Sequence, residues 1–256
     1  MSAPHLLYRV ENNIAYFTIN REAQRNAISL ETIALFLSYL QDAEKDKNVR
    51  AVLLTGSGER AFCSGADLGG AAAGDIHSGF KSYARLLKRL TGYSKPVVAR
   101  INGACMAGGM GLMLACDIVI AKNTAAFGTP EVNVGLWPMM IGALIFRNVP
   151  RKKALEMILL GEKLTAAQAF EMGLVSRLVP SEQLDDAVEK VLQSLAAKSP
   201  IGMKIGKQAF YAVADMPFEK ALDFLTAKIA DVAATEDAKE GITAFIEKRN
   251  PLFKGK

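Results

Sequence analysis

The sequence has few of the residues that hold metal ions or form covalent cross-links. Its 256 residues include 3 cysteines, 2 histidines and 1 tryptophan. The two histidines, His5 and His77, lie far apart and no cysteines cluster at ligand spacing, so we expect no metal site. An odd number of cysteines within apolar or small-residue segments is typical of reduced, buried thiols. Cys63 has no histidine nearby to act as its base, which argues against a catalytic cysteine.

Other absences narrow the class of protein. No apolar run reaches about 18 residues, so we expect no membrane span. The N-terminus lacks a basic segment followed by an apolar one, so we expect no secretory leader. Lys and Arg total 31 against 26 for Asp and Glu. These cations form no dense run and no nucleic-acid-binding motif, so nucleic acid is not an expected partner. Together the absences predict a globular protein of the cytoplasm.

Two segments rich in small residues are the most informative part of what is present. Ala61–Leu68 reads AFCSGADL and Asn102–Asp117 reads NGACMAGGMGLMLACD. Each pattern predicts a strand or loop that turns into a helix, where glycine and alanine let a ligand approach the backbone. The first N–H groups of a helix have no intrahelical partner and attract negative charge. One donor from each segment could therefore hold the oxyanion that forms from a thioester carbonyl.

These segments, followed by AAFGTPEVNVGLWP, resemble the crotonase family of enoyl-CoA hydratases and isomerases. The resemblance continues through Thr165–Pro180 and ends in Ala244–Phe253, so it covers nearly the whole chain in order. It implies an α/β fold, a crotonase-like spiral of ββα units with a C-terminal helical region. It also implies acyl-CoA thioester substrates and a homotrimer or a dimer of trimers. No separate cofactor is implied, because coenzyme A enters as part of the substrate.

The resemblance assigns roles to residues by their position in the motifs. It implies that the backbone N–H groups of Ala66 and Gly108 are the oxyanion donors and that Glu131 is a catalytic acid/base. The strand Ser64–Leu68, which includes Asp67, would run beside the adenine end of coenzyme A, and Leu68 belongs to the same substrate-binding set. Phe245 and Lys248, predicted on the last helix, would approach the nucleotide, often from a neighbouring subunit. Gly69 stands where some members carry a phosphate-binding lysine.

Glu131 also has an interpretation from its own neighbourhood. A carboxylate just before the apolar stretch VNVGLWPMMIGALIF is costly to bury unless it is paired or protonated. Burial would raise its pKa toward the range useful to a general base. The alternative is a structural residue in the first turn of a helix, where acidic side chains are favoured.

Gly111 departs from the pattern of the family hydratases, which carry a second glutamate at this position. One interpretation is close packing of the helix on a neighbour, and another is room for a bulky acyl group. Hydration divides its proton transfers between two carboxylates, whereas moving a double bond from the β,γ to the α,β position needs one base. A single glutamate therefore favours an isomerase. Asp75 or His77 are candidates to replace the missing glutamate, in which case a hydratase acting on an unusual acyl group is the alternative.

Trp137 and Met140 belong to an apolar cluster after Glu131, Trp137-Pro138-Met139-Met140. Such a cluster can be simple core, or it can form the wall of an acyl pocket. Because methionine adapts its shape to its neighbours, the second interpretation predicts a pocket for a sizeable chain or ring.

The remaining pattern predicts the domain organisation. Strands are expected at Leu6–Val10, Ile14–Asn20, Ala51–Thr55, Val97–Ile101 and Ile118–Ala121, alternating with helices, which indicates a largely parallel sheet. Glu11-Asn12-Asn13 is predicted to form a turn between the first two strands, Ser29 to cap a helix that ends near Lys45, and Thr165 to cap one that ends at Gly173. The region from about Pro200 is predicted to lack a complete core of its own. Gly69–Gly79 lacks periodicity and predicts a mobile loop. Residues 1–199 are predicted to form the acyl-CoA-binding spiral, and residues 200–256 a C-terminal helical trimerisation region. A non-catalytic acyl-CoA-binding or RNA-associated homologue is the alternative from another functional class.

Overall fold

The computed structural model describes residues 3–67 and 76–256. The strands are β1 (Leu6–Glu11), β2 (Ile14–Ile19), β3 (Ala51–Gly56), β4 (Ala61–Cys63), β5 (Val97–Ile101), β6 (Ala104–Met106), β7 (Ile118–Lys122), β8 (Ala126–Gly128), β9 (Leu164–Thr165) and β10 (Arg177–Val179). They form a first sheet in the order β1-β2-β3-β5-β7-β10 and a second sheet in the order β4-β6-β8-β9.

The helices are α1 (Leu30–Lys45), α2 (Ile76–Thr91), α3 (Gly108–Leu114), α4 (Met139–Asn148), α5 (Arg151–Leu160), α6 (Ala166–Glu171), α7 (Leu184–Ala196), α8 (Pro200–Val213), α9 (Phe218–Ala233) and α10 (Glu236–Ile246). Short 3₁₀ helices cover Glu22–Gln24, Pro130–Val134 and Ser181–Gln183. No helix in the described ranges combines the length and the apolar character that a membrane crossing requires.

From β3 to β8 the chain alternates between the two sheets, with one strand in the first sheet and the next in the second. β3, β5 and β7 pair in parallel in the first sheet, and the strand after each of them joins the second sheet. A helix then follows, α2 after β4 and α3 after β6. This repeat of strand, strand and helix is the predicted ββα spiral. Because successive ββα units stack on one another, β4 pairs with β6 in parallel and the ends of the two strands become neighbours.

Local chemistry explains where the elements begin. The Ser29 Oγ accepts a hydrogen bond from the Thr32 N–H at 3.1 Å and caps α1, as its sequence predicts. Thr165 caps α6 in the same way, through the Gln168 N–H at 3.2 Å. Asn12 and Asn13 take positive φ between β1 and β2, which suits the tight turn of a hairpin. These predicted boundaries agree with the structure within a residue or two.

The central strands of the first sheet, β3, β5 and β7, are buried on both faces, which explains their continuous apolar runs. Leu53, Val98 and Ile120 pack on one face against α7, whose Val188 and Leu192 cover them. The opposite face and the second sheet share a larger core with α1, α2, α3, α4 and α6. The large core lies directly beneath the turns that follow β4 and β6.

The prediction of a loop over Gly69–Gly79 is wrong at its end. Residues from Ile76 onward already belong to α2, which places Tyr83, Leu86, Leu87 and Leu90 on one buried face. That spacing is the helical period, and the three leucines satisfy it. The earlier part of the predicted loop, which includes Gly69 and Asp75, lies outside the described residues.

The C-terminal helices contain little core of their own. Ala209, Asp237 and Ala244 are the residues of α8, α9 and α10 that are buried. Many large apolar side chains of these helices are exposed, including Phe218 at 76% and Phe245 at 85%. The region from residue 200 therefore lacks a complete core, as its sequence predicts, whereas its boundary and its role in trimerisation stay predictions.

Candidate active site

The first predicted oxyanion turn follows β4. Gly65 takes a φ of 106°, and Ala66 forms an isolated parallel bridge with Ile28. The Ile28 N–H donates to the Gly65 carbonyl at 2.7 Å, and the Asp67 N–H donates to the Ile28 carbonyl at 2.9 Å. Because peptide groups alternate in direction along an extended chain, the N–H of Ala66, between these two, points away from Ile28.

The second turn follows β6 and has an equally unusual backbone. Ala107 adopts φ 48° and ψ −125° as the N-cap of α3, and no side chain caps this helix. A non-glycine residue with this conformation stores strain, which is often a sign of a functional turn. Gly108 is the first helical residue, so its N–H has no intrahelical acceptor. Among the described residues, neither the Ala66 N–H nor the Gly108 N–H donates to a protein acceptor.

The two turns lie against each other. A methyl group placed on Gly108 would stand 3.6 Å from the Ala66 nitrogen, and one placed on Gly65 would stand 3.3 Å from the Gly108 nitrogen. The two free N–H groups are therefore neighbours, within reach of one shared acceptor. A pair of backbone donors at a helix start is the arrangement that stabilises a developing oxyanion.

The glycines of α3 are needed for close packing rather than for open space. A methyl group on Gly109 would overlap the Cys63 carbonyl of β4. One on Gly111 would overlap the Tyr83 hydroxyl and lie 2.5 Å from Cγ2 of Ile141 on α4. Two protein side chains thus fill the space next to Gly111, which agrees with the interpretation of close helix packing. The interpretation as room for a bulky acyl group stays a prediction.

Tyr83 is the residue that reasoning from the sequence missed. Its side chain is 8% exposed, and its hydroxyl donates to the Gly108 carbonyl at the start of α3. Burial raises the pKa of Tyr83 well above its ordinary value, and the negative charge of Glu131 raises it further. The phenol thus stays protonated. The sequence signal was a tyrosine on the apolar stripe of a helix, which by itself indicates only a core position.

Glu131 lies in the 3₁₀ helix Pro130–Val134, after the N-cap residue Thr129. Its side chain is half-buried, and Oε2 is buried with no hydrogen-bond partner in the part of the chain that the structure describes. Burial raises the pKa of Glu131 above its ordinary value, as the sequence predicts. The carboxylate also meets the backbone N–H of Glu131 itself, which offsets part of that rise in pKa and fits a residue at a helix start. The buried Oε2 leaves one oxygen available for proton transfer to a bound molecule.

The apolar cluster after Glu131 divides in two. Pro138 is buried and Met140 packs on the core, whereas Trp137 is 45% exposed and Met139 is 72% exposed. Val134 and Leu136 in the same segment are also exposed. The interpretation as simple core is wrong for Trp137 and Met139. An exposed apolar rim beside Glu131 remains compatible with the wall of an acyl pocket.

The predicted nucleotide-binding strand is held by backbone and side-chain contacts. Ser64 donates its N–H to the Arg25 carbonyl at 3.1 Å. The Asp67 carboxylate pairs with the Arg21 guanidinium at 2.7 Å, and both side chains are largely buried. Asp67 therefore anchors the strand, and its predicted contact with the substrate stays a prediction. Leu68 lies outside the described residues.

Phe245 and Lys248 lie in different kinds of backbone structure. Phe245 is on α10, as predicted, and is strongly exposed. Lys248 is not on the last helix, which ends at Ile246; it follows in a turn with φ 56°. Within one chain α10 packs mainly on α8 and α9. Their predicted approach to the nucleotide from a neighbouring subunit stays a prediction.

The cysteines are structural. Cys63, Cys105 and Cys116 are buried and free. Burial raises the pKa of Cys63 to about 12, so its reactive thiolate form is rare at neutral pH. The prediction that the three thiols are reduced and buried is confirmed.

Comparison with known proteins places this geometry in context. The sequence matches the family model for enoyl-CoA hydratase/isomerase over residues 9–256. It is 33% identical to the 2,3-dehydroadipyl-CoA hydratase of Escherichia coli over 253 residues, which cover 98% of this chain and 99% of the relative. It is 32% identical to the short-chain-enoyl-CoA hydratase of Clostridium acetobutylicum over 253 residues, 97% of each chain.

Solved structures agree with the sequence comparison. The crystal structure of an enoyl-CoA hydratase from Bacillus anthracis superposes with a TM-score of 0.93 at 30% identity, covering 98% of this chain and 100% of that one. The chain therefore has the crotonase fold, and the expectation of a ββα spiral with a helical C-terminal region is confirmed.

Proposed function

The chain belongs to the enoyl-CoA hydratase/isomerase family, and we propose that its reaction is the isomerisation of an enoyl-CoA double bond with Glu131 as the one carboxylate acid/base. That it is an acyl-CoA enzyme of the hydratase/isomerase type follows from the family. The choice of isomerisation rests on position 111. Gly111 carries no side chain, and the groups that occupy the adjoining space, a phenol and an isoleucine methyl, are not carboxylates.

Isomerisation needs one base that acts twice. In the proposed reaction the Glu131 carboxylate removes a proton from the α-carbon of a β,γ-enoyl thioester. The electron pair moves into the thioester, and the enolate oxygen accepts hydrogen bonds from the Ala66 and Gly108 N–H groups. The carboxylic acid then returns the proton to the γ-carbon, which leaves the double bond between the α- and β-carbons. No atom is gained or lost, and no oxidant is needed.

The surroundings of Glu131 suit this role. A base that takes a proton and returns it works best when its pKa lies near the operating pH. Burial shifts the pKa of Glu131 in that direction, and within residues 3–67 and 76–256 its Oε2 has no partner to compete with substrate. The adjacent exposed apolar residues supply a surface on which an acyl chain can lie.

Hydration of an α,β-enoyl-CoA is the second candidate. Two observations favour it: the relatives reported above are named hydratases, and the Tyr83 hydroxyl places a polar atom beside Gly111. In that reaction water adds to the β-carbon and a proton to the α-carbon, so a group besides Glu131 would have to hold the water.

The absorbance of the conjugated thioester distinguishes the two reactions. A β,γ-enoyl-CoA gains absorbance when isomerised, and an α,β-enoyl-CoA loses absorbance when hydrated. Purified protein would be assayed with matched pairs of short, long and aromatic acyl chains. We expect the highest kcat/KM on a β,γ substrate. A higher kcat/KM for hydration across the panel would overturn the isomerase proposal and leave the second candidate.

We also propose that the protein assembles as a homotrimer or as a dimer of trimers through α8, α9 and α10. What supports this is the number of large exposed apolar side chains there, because a monomer seldom leaves so much apolar surface in water. The residues concerned include Phe210, Phe218, Ile229, Ile242 and Ile246. Light scattering coupled to size exclusion would give the mass, and a monomer would contradict the proposal.

A further inference from the structure

The first turn of α3 lacks the usual means of holding a helix start in place. Its residues include Gly108, Gly109 and Gly111, and a glycine inside a helix costs about 1 kcal/mol relative to alanine. Its N-cap residue, Ala107, makes no side-chain capping bond and has a strained backbone. An oxyanion donor is effective only when its N–H is already oriented. Something outside the helix must therefore hold this turn.

Tyr83 of α2 meets that need from a distant part of the sequence. Its hydroxyl donates to the carbonyl of Gly108, the residue whose N–H is the proposed oxyanion donor. The same oxygen lies against the Cα of Gly111 one turn later, so the phenol spans the glycine-rich turn. Its ring is fixed by the core, in which Leu86, Leu87 and Leu90 of the same helix are buried.

The opposite side of the turn is held by β4. Gly109 packs on the Cys63 carbonyl, and Gly108 lies against Gly65 and Ala66. The glycine-rich turn is thus enclosed between the buried strand β4 and a buried tyrosine. Among these contacts, the one from the Tyr83 hydroxyl is a hydrogen bond, so it fixes the direction of the Gly108 peptide group as well as its position.

We propose that the Tyr83 hydroxyl is a positioning residue, which holds the first turn of α3 so that the Gly108 N–H points at the thioester oxygen. The inference rests on the proposed oxyanion hole of Ala66 and Gly108, and it applies equally to isomerisation and to hydration. Because burial keeps the phenol protonated, it remains a donor throughout the pH range of the enzyme.

Tyr83→Phe removes this one oxygen and keeps the ring. Tyr93→Phe is the matched control: Tyr93 is fully buried, and its hydroxyl donates to the backbone carbonyl of Leu40 at 2.9 Å. Both variants lose a buried bond from a tyrosine to a carbonyl, so both should lower the melting temperature. Only Tyr83→Phe should lower kcat, by about tenfold to a hundredfold, with KM little changed, since small errors in position are costly in catalysis.

The second measurement reports the oxyanion hole directly and needs no turnover. A saturated acyl-CoA, butanoyl-CoA labelled at its thioester carbonyl, is bound to each variant, and difference infrared spectroscopy measures the carbonyl stretch. Donors that polarise the carbonyl lower its frequency. We expect a smaller lowering in Tyr83→Phe than in the wild type and in Tyr93→Phe.

The outcomes separate this inference from the proposed function. If the wild type itself does not lower the carbonyl frequency, the oxyanion hole is absent and the proposed function fails with it. If the wild type lowers it and Tyr83→Phe does so equally, with an unchanged kcat, the oxyanion hole stands and Tyr83 is only a structural residue. Faster hydrogen exchange of the α3 amides in Tyr83→Phe than in Tyr93→Phe would support the positioning role, and equal exchange would contradict it.

Discussion

The two sides of the site differ in how they are held. The proposed donor side includes α3, which starts at Gly108 and packs against β4, α2 and α4 through Gly109 and Gly111. The proposed acid/base, Glu131, stands on the short 3₁₀ helix Pro130–Val134, followed by exposed apolar residues such as Trp137. In the proposed reaction the difference would divide the labour: the packed side would fix where the thioester oxygen sits, and the open side would admit different acyl groups.

If that division is right, substitutions on the acid/base side should change activity without harming the fold. Substitutions on the donor side should change both. The following experiments test this contrast, beginning with the largest expected effect.

Glu131→Gln should reduce kcat by roughly 10²–10⁴-fold, the usual contribution of a general acid/base, with little change in acyl-CoA binding. The amide has the shape of the acid but cannot transfer the proton. Steady-state kinetics on the best substrate and calorimetry of acyl-CoA binding would measure the two effects. Glu171→Gln, at an exposed position on α6, is the control and should behave as the wild type.

The same variant should be more stable than the wild type at neutral pH. The pKa of Glu131 is raised in the folded state, so the folded protein binds this proton more tightly than the unfolded chain does. Burying the charged carboxylate therefore lowers the stability of the wild type at pH values above the folded pKa of Glu131. This loss of stability disappears as the pH falls through that pKa and the carboxylate is protonated. The gain in melting temperature should therefore shrink toward acid pH, and a gain that is constant with pH would contradict a titrating Glu131.

Gly108→Pro should lower kcat/KM by about 10²–10³-fold, because proline deletes the N–H that serves as one oxyanion donor. Gly108→Ala is the matched control, since a methyl group there meets its neighbours no closer than 3.5 Å and the N–H is kept. Circular dichroism would confirm that both variants fold. Equal activities of the two variants would remove Gly108 from the donor pair.

Gly111→Ala should destabilise the protein by about 1–3 kcal/mol through overpacking against Tyr83 and Ile141, which outweighs the better helix propensity of alanine. The matched control is Gly142→Ala on α4, where a methyl group would meet nothing within 4 Å. That variant should gain about 0.5–1 kcal/mol. Denaturant unfolding of both variants would measure the change in the free energy of unfolding.

A double variant sharpens the same point. Tyr83→Phe removes the oxygen that a methyl group on Gly111 would overlap, so it should relieve part of the cost of Gly111→Ala. Additive free energies would mean that the two residues are not in contact, because only neighbouring sites couple.

Trp137→Ala should have the smallest effect on the fold, within about 0.5 kcal/mol, because the side chain is 45% exposed. If it borders the acyl pocket, KM should rise severalfold for long or aromatic acyl chains and stay unchanged for a short chain. A uniform effect on all chain lengths would place Trp137 outside the acyl pocket.

Much of the fold and part of the site could be predicted from the sequence. The cap at Ser29, the hairpin at Asn12 and Asn13, and the small-residue turns at Ala66 and Gly108 depend on residues close together in the chain. Their local chemistry is the same wherever the chain folds. The raised pKa of Glu131 was also anticipated, because burial beside a long apolar segment disfavours the charged carboxylate.

What the sequence left open concerns contacts between distant segments. Gly111 allowed either close packing or room for an acyl group, and the side chains that show close packing, Tyr83 and Ile141, come from other helices. Trp137 allowed either core or the wall of an acyl pocket, and its segment is exposed in the single chain. Neither choice could be made from periodicity, since the pattern shows which face of an element is apolar and not what covers it.

The sequence by itself determined the succession of strands and helices, their caps, and the two turns that present free N–H groups, because each depends on a few adjacent residues. Only the tertiary structure decided what stands beside those turns. Stacked ββα units bring β4 next to β6, and the packing of α2 brings Tyr83 onto Gly108 and Gly111. The physical reason is that close packing is a property of the assembled core, where a missing side chain in one helix is filled by a side chain from another.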